Sequence, residues 1–76
     1  MDTKIRAIII DDEARARDIL KLMLDEFCPE VELIDEANSV ATGIESVETH
    51  KPDLLFLDID MVDGYGFEVL NETIHY

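Results

Sequence analysis

Acidic residues follow two apolar stretches of this chain, and their types and positions could hold a metal ion. Asp11 and Asp12 come directly after the isoleucine-rich stretch 5–10, and Asp58 comes directly after Leu54–Leu57. Carboxylates about 5 Å apart repel one another by roughly 3 kcal/mol per pair at an effective dielectric constant of 20. A cluster of them therefore requires a proton or a cation, and oxygen ligands alone favour Mg²⁺, which readily accepts phosphate as a further ligand.

A carboxylate beside Mg²⁺ could also act as a nucleophile. Asp58 would attack a phosphoryl group and form an acyl phosphate, while the metal neutralises charge on the phosphoryl oxygens. The structural alternative for Asp11-Asp12-Glu13 is that acids after a strand cap the next helix and interact with its dipole. Acids at the ends of two neighbouring strands favour the ion site over capping alone.

Short apolar runs alternate with helical periodicity along the chain, in the order β-α-β-α-β-α. This alternation predicts parallel strands with right-handed crossovers, so that the carboxyl ends of the strands meet at one edge. The predicted elements are a strand over 5–10, a helix from Ala14 that ends at Cys28-Pro29, a strand around Val31–Ile34, a helix from Val40 to about His50 capped by Ser39, a strand over Leu54–Leu57, a loop with Gly64 and Gly66, and a third helix from Phe67.

The apolar positions predict which faces are buried. Leu54–Leu57 has no polar alternation, which is typical of a strand buried on both faces. In the second strand, Glu32 and Asp35 are spaced as on an edge strand. Helical spacing gives the inner faces of the two helices: Ala16, Leu20, Met23 or Leu24, and Phe27 on the first, and Val40, Ile44 and Val47 on the second.

Composition restricts the partners of the chain. Its 76 residues include 19 acidic and 6 basic side chains, for a formal net charge of −13. This charge argues against binding of nucleic acid or of an anionic membrane surface. The single cysteine, Cys28, excludes an intrachain disulfide, and no stretch has the apolar length of a signal peptide or membrane span. We expect a cytoplasmic protein that binds neither nucleic acid nor membrane.

The segments around the acids resemble the receiver domain of two-component response regulators. The matching segments are 8–13, 51–58 and 61–70. The pattern over 63–67 is similar to receivers that precede a LytTR-type DNA-binding domain. The resemblance implies a flavodoxin-like fold in which these three strands have the order 2-1-3, and a phosphorelay protein, not an enzyme, that regulates transcription in its full-length form.

The resemblance also assigns roles to individual residues. Asp58 would accept a phosphoryl group from a sensor histidine kinase. Asp12 and Asp58 would bind Mg²⁺ directly, Asp11 would act largely through water, and the main-chain carbonyl of Asp60 would complete the protein ligands. The family commonly has proline where Val62 stands, so valine leaves that turn less constrained.

The resemblance also predicts that residues 1–76 form an incomplete receiver domain. The family continues for two more strands and two more helices, which carry a Ser or Thr that binds the phosphoryl group and a Lys that pairs with it. We therefore expect weak Mg²⁺ binding and little stable phosphorylation. The third strand becomes a sheet edge, and an apolar edge strand favours pairing with another chain, so we expect self-association through this strand or by exchange of an element.

Two other functions fit parts of the sequence. Asp58-Ile59-Asp60-Met61-Val62 matches the nucleophile motif of haloacid-dehalogenase-type phosphatases, with Asp58 as nucleophile, but that reading leaves Asp11-Asp12-Glu13 unexplained. A structural interaction module with an inert acidic edge is the other alternative. A calcium-binding loop from Asp58 is excluded by register, because Gly64 falls one place late and Val62 and Val69 stand at ligand positions.

Overall fold

The computed structural model describes residues 3–61, 64, 65 and 69. The predicted third helix lies outside the described residues except for Val69, which is helical and fully buried. None of the described helices is long and apolar enough to cross a membrane. In chain order the elements are β1 (Ile5–Ile10), α1 (Ala14–Phe27), β2 (Val31–Ala37), α2 (Val40–His50), β3 (Leu54–Leu57), β4 (Asp60–Met61) and β5 (Gly64–Tyr65).

Three parallel strands form the main sheet in the order β2-β1-β3, which confirms the predicted arrangement. β1 lies in the centre, and its residues from Ala7 to Ile10 are at most 1% exposed. The pairing of β1 with β3 runs from Ala7 opposite Leu54 to Ile10 opposite Leu57. The two strands therefore end side by side, which places the residues that follow them at the same edge.

β2 contains a bulge that the sequence pattern did not reveal. Ala7 pairs with Leu33, but Ile8 pairs with Asp35, so Ile34 is an extra residue on the β2 side. The two acids that follow face different helices. Asp35 contacts Ser46 and His50 of α2, whereas Glu36 contacts Arg17 and Lys21 of α1. The bulge breaks the simple alternation expected for this strand.

The core lies between the sheet and α2. Ser39 caps this helix, since its hydroxyl oxygen accepts a hydrogen bond from the main-chain N–H of Thr42 at 3.1 Å. The predicted inner face of α2 is confirmed: Val40 is buried, and Ile44 and Val47 pack against the core. The buried members of the cluster are Ile8, Ile10, Ala37, Val40, Met61 and Val69.

The predicted inner face of α1 is only partly right. Ala16 and Leu20 are half-buried and Leu24 is buried, so the inner face follows positions four residues apart. Met23 is 52% exposed, because it lies about 100° around the helix from Leu24. Phe27, in the last turn, is 70% exposed and was wrongly placed on the buried face.

Two predictions for the region around Asp58 are corrected. Leu54 is exposed and Leu55, Phe56 and Leu57 are half-buried, so β3 is not buried on both faces. The reason is its position, because β3 is the outermost strand of the described sheet and only β1 pairs with it there. The segment after Asp58 was expected to be a loop, but β4 pairs antiparallel with β5, with Asp60 opposite Tyr65. Val62 lies outside the described residues.

Arg6 connects the start of β1 to the end of α2 through hydrogen bonds. Its guanidinium donates to the main-chain carbonyls of His50 at 2.9 Å and Lys51 at 3.2 Å. Its main-chain N–H donates to a carboxylate oxygen of Asp53 at 3.0 Å. These contacts satisfy carbonyls that the helix end leaves without intrahelical partners, and they fix the turn that leads into β3.

Candidate metal centre

Three carboxylates meet at the carboxyl ends of β1 and β3. One oxygen from each of Asp11, Asp12 and Asp58 lies within 4.8 Å of the others, and all three residues are half-buried. Two sequence stretches more than 40 residues apart thus contribute to one acidic cluster, at the edge where ligands of open α/β sheets bind. A pocket beside it, between α1 and β3, is lined by Ile9, Ile10, Asp11, Ala16, Leu20, Phe56, Leu57 and Asp58.

The main chain holds these acids in place. The N–H of Asp58 donates to the carbonyl of Ile10 at 2.9 Å, which extends the β1–β3 ladder by one residue. On the other side of β1, the N–H of Asp11 donates to the carbonyl of Ala37 at 3.0 Å. Both acids are thus attached to the sheet through their own backbone, and their separation follows from the strand register.

Asp11 combines the two roles that the sequence left open. Its carboxylate Oδ1 accepts a hydrogen bond from the main-chain N–H of Glu13 at 2.9 Å, a turn that leads into α1. Glu13 is the N-cap residue of α1, but its own side chain makes no capping hydrogen bond. The carboxylate of Asp11 therefore organises the helix start and still belongs to the acidic cluster.

The donor set fits a hard divalent cation. The three carboxylate oxygens lie within 4.8 Å of one another, and two ligands of one octahedral Mg²⁺ are at most about 4.2 Å apart, twice an ion–oxygen distance of about 2.1 Å. Oδ1 of Asp11 accepts the hydrogen bond from Glu13, and contact between Asp11 and an ion through water stays a prediction. Asp60 begins β4, two residues after Asp58, and the role of its carbonyl stays a prediction.

A charged network that sequence reasoning missed lies next to the cluster. Arg17 Nε donates to Glu36 at 2.8 Å, and Lys21 Nζ donates to the other carboxylate oxygen of Glu36 at 2.7 Å. These two bonds, from Lys21 first and Arg17 second, lower the pKa of Glu36. The pKa of Lys21 is raised, mainly by Glu36 and further by Asp18. The sequence feature that could have indicated this network is the basic pair Arg17 and Lys21, four residues apart on α1.

Arg17 also reaches the acidic cluster directly. Its Nη1 donates to the main-chain carbonyl of Asp11 at 2.7 Å, and its side chain is only 16% exposed. No sequence pattern identifies this contact, because it depends on how α1 lies across the end of β1.

A second polar cluster joins β2 to α2. The hydroxyl of Ser46 donates to Oδ2 of Asp35 at 2.5 Å, and Nε2 of His50 lies 3.5 Å from the same oxygen. The Ser46 hydrogen bond is the main cause of a lowered pKa of Asp35. His50 is half-buried beside Asp35. This cluster has a direct role in packing, since it fills the interface between a strand and a helix.

Residues 7–74, which include all three clustered acids, match a family described as the response regulator receiver domain. The chain belongs to this family. The match covers nearly the whole chain and confirms the resemblance drawn from the acidic motifs.

Curated relatives extend the comparison of this receiver domain. It is 43% identical over 67 residues to the sensory transduction protein LytT of Bacillus anthracis, across 88% of this chain and 27% of that protein. It is 39% identical over 71 residues to LytT of Enterococcus faecalis, across 93% of this chain and 29% of that protein. The expected similarity to LytT-type receivers is therefore confirmed. The chain spans less than a third of the length of these relatives.

Two further similar proteins have names other than LytT. The chain is 40% identical over 73 residues to protein-glutamate methylesterase/protein-glutamine glutaminase 3 of Geobacter sulfurreducens, across 96% of this chain and 19% of that protein. The crystal structure of the response regulator domain of Thermotoga maritima CheB superposes with a TM-score of 0.83 at 30% identity, covering 91% of this chain and 51% of that one. The fold is thus the flavodoxin-like receiver fold.

Proposed function

We propose that this receiver domain accepts a phosphoryl group on Asp58 in a Mg²⁺-dependent reaction. The observation that carries the proposal is the convergence of Asp11, Asp12 and Asp58 at the carboxyl edge of β1 and β3. In this proposal Asp12 and Asp58 bind the ion directly, Asp11 acts through water, and the carbonyl of Asp60 is the remaining protein ligand. When bound, Mg²⁺ would neutralise charge on the phosphoryl oxygens.

The donor would be a phosphohistidine of a sensor histidine kinase. A carboxylate oxygen of Asp58 attacks phosphorus, the phosphorus–nitrogen bond breaks, and the imidazole leaves and takes up a proton. The protein thus accepts one phosphoryl group and catalyses no turnover of its own. The half-buried position of Asp58 suits this reaction, because partial exclusion of water strengthens the interaction of its carboxylate with a cation.

Regulation of transcription and a cytoplasmic location are part of the same proposal. The similarity to LytT, which is named a sensory transduction protein, supports a signalling role. The formal charge of −13 supports a partner other than nucleic acid for these 76 residues.

Phosphorylation is tested with Mg²⁺ and acetyl phosphate, followed by intact-mass measurement. We expect a base- and hydroxylamine-labile adduct of one phosphoryl group, as for an acyl phosphate, substoichiometric in this chain, that requires Mg²⁺ and is lost in Asp58→Asn. Asp25→Asn, at an exposed position on α1, is the matched control and should keep the adduct. Continuous hydrolysis of acetyl phosphate would favour the phosphatase alternative, and no adduct under any condition would favour the inert module.

A separate observation supports self-association. β3 is the outermost strand of the described sheet, and its apolar side chains are half-buried or exposed. We propose that two copies pair β3 with β3 in antiparallel orientation about a twofold axis, which joins their sheets. The charge of −13 per chain opposes this pairing, so it should strengthen as salt screens the repulsion.

Size-exclusion chromatography with light scattering tests the pairing. We expect a dimer that becomes more populated with protein concentration and with salt. Leu54→Lys places a charge on the edge strand and should shift the population to monomer. Ile59→Lys is the control, because Ile59 is 67% exposed but lies outside β3. A monomer at high concentration and high salt would contradict the proposal.

A further inference from the structure

We infer that Arg17 is a positioning residue for the acidic cluster: it fixes the peptide group between Asp11 and Asp12 and so holds the carboxylate of Asp12 toward the metal position. This inference rests on the proposed Mg²⁺-dependent function. Arg17 lies on α1, has no carboxylate and is not among the expected ligands. The inference nevertheless makes it one of the groups that determine the affinity for the metal.

The guanidinium of Arg17 is held at two points. Nη1 donates to the main-chain carbonyl of Asp11 at 2.7 Å, and Nε donates to Oε1 of Glu36 at 2.8 Å. Glu36 is itself held by Lys21, which donates to Oε2 at 2.7 Å. Because the guanidinium is planar and its donors diverge at fixed angles, fixing one donor on Glu36 directs the other toward Asp11.

The contact acts on Asp12 through the rigidity of the peptide bond. The Asp11 carbonyl and the Asp12 N–H belong to one planar group, so a hydrogen bond to this carbonyl fixes the plane from which Asp12 continues. The bond from the N–H of Glu13 to the Asp11 side chain closes a turn that includes this peptide group. The bond from Arg17 then holds its carbonyl, so the peptide group is fixed from both sides.

The bulge in β2 is what makes this arrangement available. The extra residue Ile34 puts Glu36 opposite Ile9 and directs its carboxylate to α1, where it meets Arg17 and Lys21. The chain of contacts therefore runs from β2 through α1 to the end of β1, and it connects three elements at the edge of the cluster.

Positioning and simple electrostatics predict opposite effects of removing Arg17. Arg17 carries a positive charge close to the carboxylates, so Coulomb repulsion alone predicts that its removal strengthens the binding of a cation. If Arg17 acts by holding the Asp11–Asp12 peptide group, its removal weakens binding despite the lost positive charge. The sign of the change therefore decides between the two roles.

The test is a titration of Mg²⁺ alone into the wild-type chain and into variants, by calorimetry and by ¹⁵N–¹H NMR. We expect Arg17→Met to weaken Mg²⁺ binding by about tenfold, the lower end of the effect of residues that orient metal ligands. Arg17→Lys, which keeps the charge and one donor, should recover part of the affinity. Arg15→Met, on an exposed position of the same helix, removes an equal charge and should leave binding unchanged or slightly stronger.

A readout in the absence of metal comes from the same spectra. The ¹⁵N resonance of Asp12 reports the hydrogen bond to the carbonyl of Asp11, because both atoms are in one peptide group. We expect it to shift in Arg17→Met and to stay in place in Arg15→Met. If Arg17→Met does not fold, Glu36→Gln carries the test through the metal-free spectra: it loosens the guanidinium and should shift the ¹⁵N resonance of Asp12. Its Mg²⁺ affinity does not decide, because loss of the Glu36 charge alone also predicts weaker binding.

The outcomes separate this inference from the proposed function. If the wild-type chain binds Mg²⁺ and Arg17→Met binds it equally or more tightly, with the Asp12 resonance unmoved, the positioning role is wrong and the proposed function stands. If the wild-type chain does not bind Mg²⁺ at all, the proposed function fails, and the role of Arg17 toward a metal fails with it.

Discussion

The main-chain N–H of Asp58 donates a hydrogen bond of 2.9 Å to the carbonyl of Ile10, the residue that directly precedes Asp11. The acid that follows β3 is therefore attached to the last residue of β1. The backbones of the acids cannot separate unless the two strands part at this point, so the carboxylates stay near one another in the metal-free fold. Their mutual repulsion lowers the stability of that fold, and this cost can be measured.

Asp58→Asn should stabilise the metal-free protein. The carboxylate oxygens lie within 4.8 Å of one another, and removing the Asp58 charge relieves two repulsive pairs, each of about 1 kcal/mol in a solvent-like dielectric and about 3 kcal/mol at an effective dielectric constant of 20. We expect the free energy of unfolding in urea, at low salt and without Mg²⁺, to rise by about 1 kcal/mol. The gain should shrink as salt is added.

Asp25→Asn is the control for this measurement, because Asp25 is exposed on α1 and is not in the cluster. Saturating Mg²⁺ should reverse the order of stability, since the wild-type cluster gains binding free energy that the Asn variant loses. A metal-free Asp58→Asn protein that is less stable than the wild type would show that the acids do not repel one another in the folded state.

The ion pairs of Glu36 should make stability fall in acid. Hydrogen bonds from Lys21 and Arg17 lower the pKa of Glu36 below its ordinary value of 4.5, so the stabilisation is present above that pH and is lost as the pH falls through the lower folded pKa. Glu36→Gln should cost about 1 kcal/mol or less at neutral pH, and the difference from wild type should vanish in acid. Urea unfolding of both proteins at several pH values measures this difference in the free energy of unfolding.

The exposed Glu48 on α2 provides the comparison, because Glu48→Gln should have little effect on stability at any of these pH values. If Glu36→Gln lowers the free energy of unfolding by the same amount at neutral and at acid pH, the charge of Glu36 does not contribute to stability.

Gly43→Ala should destabilise the protein, although alanine favours an exposed helix over glycine by about 1 kcal/mol. A Cβ at position 43 would lie 3.0 Å from Cγ2 and 3.1 Å from Cδ1 of Ile10, which is fully buried and has little room to move. Overpacking of this kind costs about 1–3 kcal/mol, so we expect a net loss of about 1 kcal/mol by thermal or urea unfolding.

A double-mutant cycle identifies the contact responsible. Ile10→Val removes Cδ1, and it should cost less in the Gly43→Ala background than in the wild type, because it relieves the closer packing that alanine creates. A higher midpoint of thermal unfolding for Gly43→Ala alone would show that helix propensity outweighs the contact with Ile10.

Ser46→Ala should destabilise the interface between β2 and α2. Ser46 is buried, and its hydroxyl is the donor that lowers the pKa of Asp35 below its ordinary value of 3.8. We expect a loss of about 1 kcal/mol near neutral pH, where Asp35 is charged, and a smaller loss once the pH falls through the folded pKa of Asp35. Thr49→Ala, on an exposed position of α2, should have no comparable effect in the same urea titrations.

Much of this architecture could be predicted from local patterns. β1, α1, α2 and β3 have the expected bounds, because isoleucine and leucine runs, Ser39 and Cys28-Pro29 are strong local signals. The meeting of Asp12 and Asp58 follows from the parallel topology alone, since strands that run in the same direction end at the same edge.

The missed features all depend on contacts between elements. The bulge at Ile34 shows only in the pairing of β2 with β1, and the pattern of its own residues is compatible with a regular strand. The exposure of Met23 and Phe27 depends on which part of α1 the sheet covers. The bond from Arg17 to the carbonyl of Asp11 requires the angle at which α1 leaves β1, and no residue type specifies that angle.

The extra residue in β2 assigns two consecutive acids to two different helices. If β2 paired without the bulge from Leu33 onward, Ile34 would lie opposite Ile8, Asp35 opposite Ile9 and Glu36 opposite Ile10. Asp35 would then turn toward α1 and Glu36 toward α2, the reverse of their present positions. Ser46 and Arg17 would both lose their partners in a single step. The pairing register of this strand is therefore as tightly constrained as the identity of its side chains.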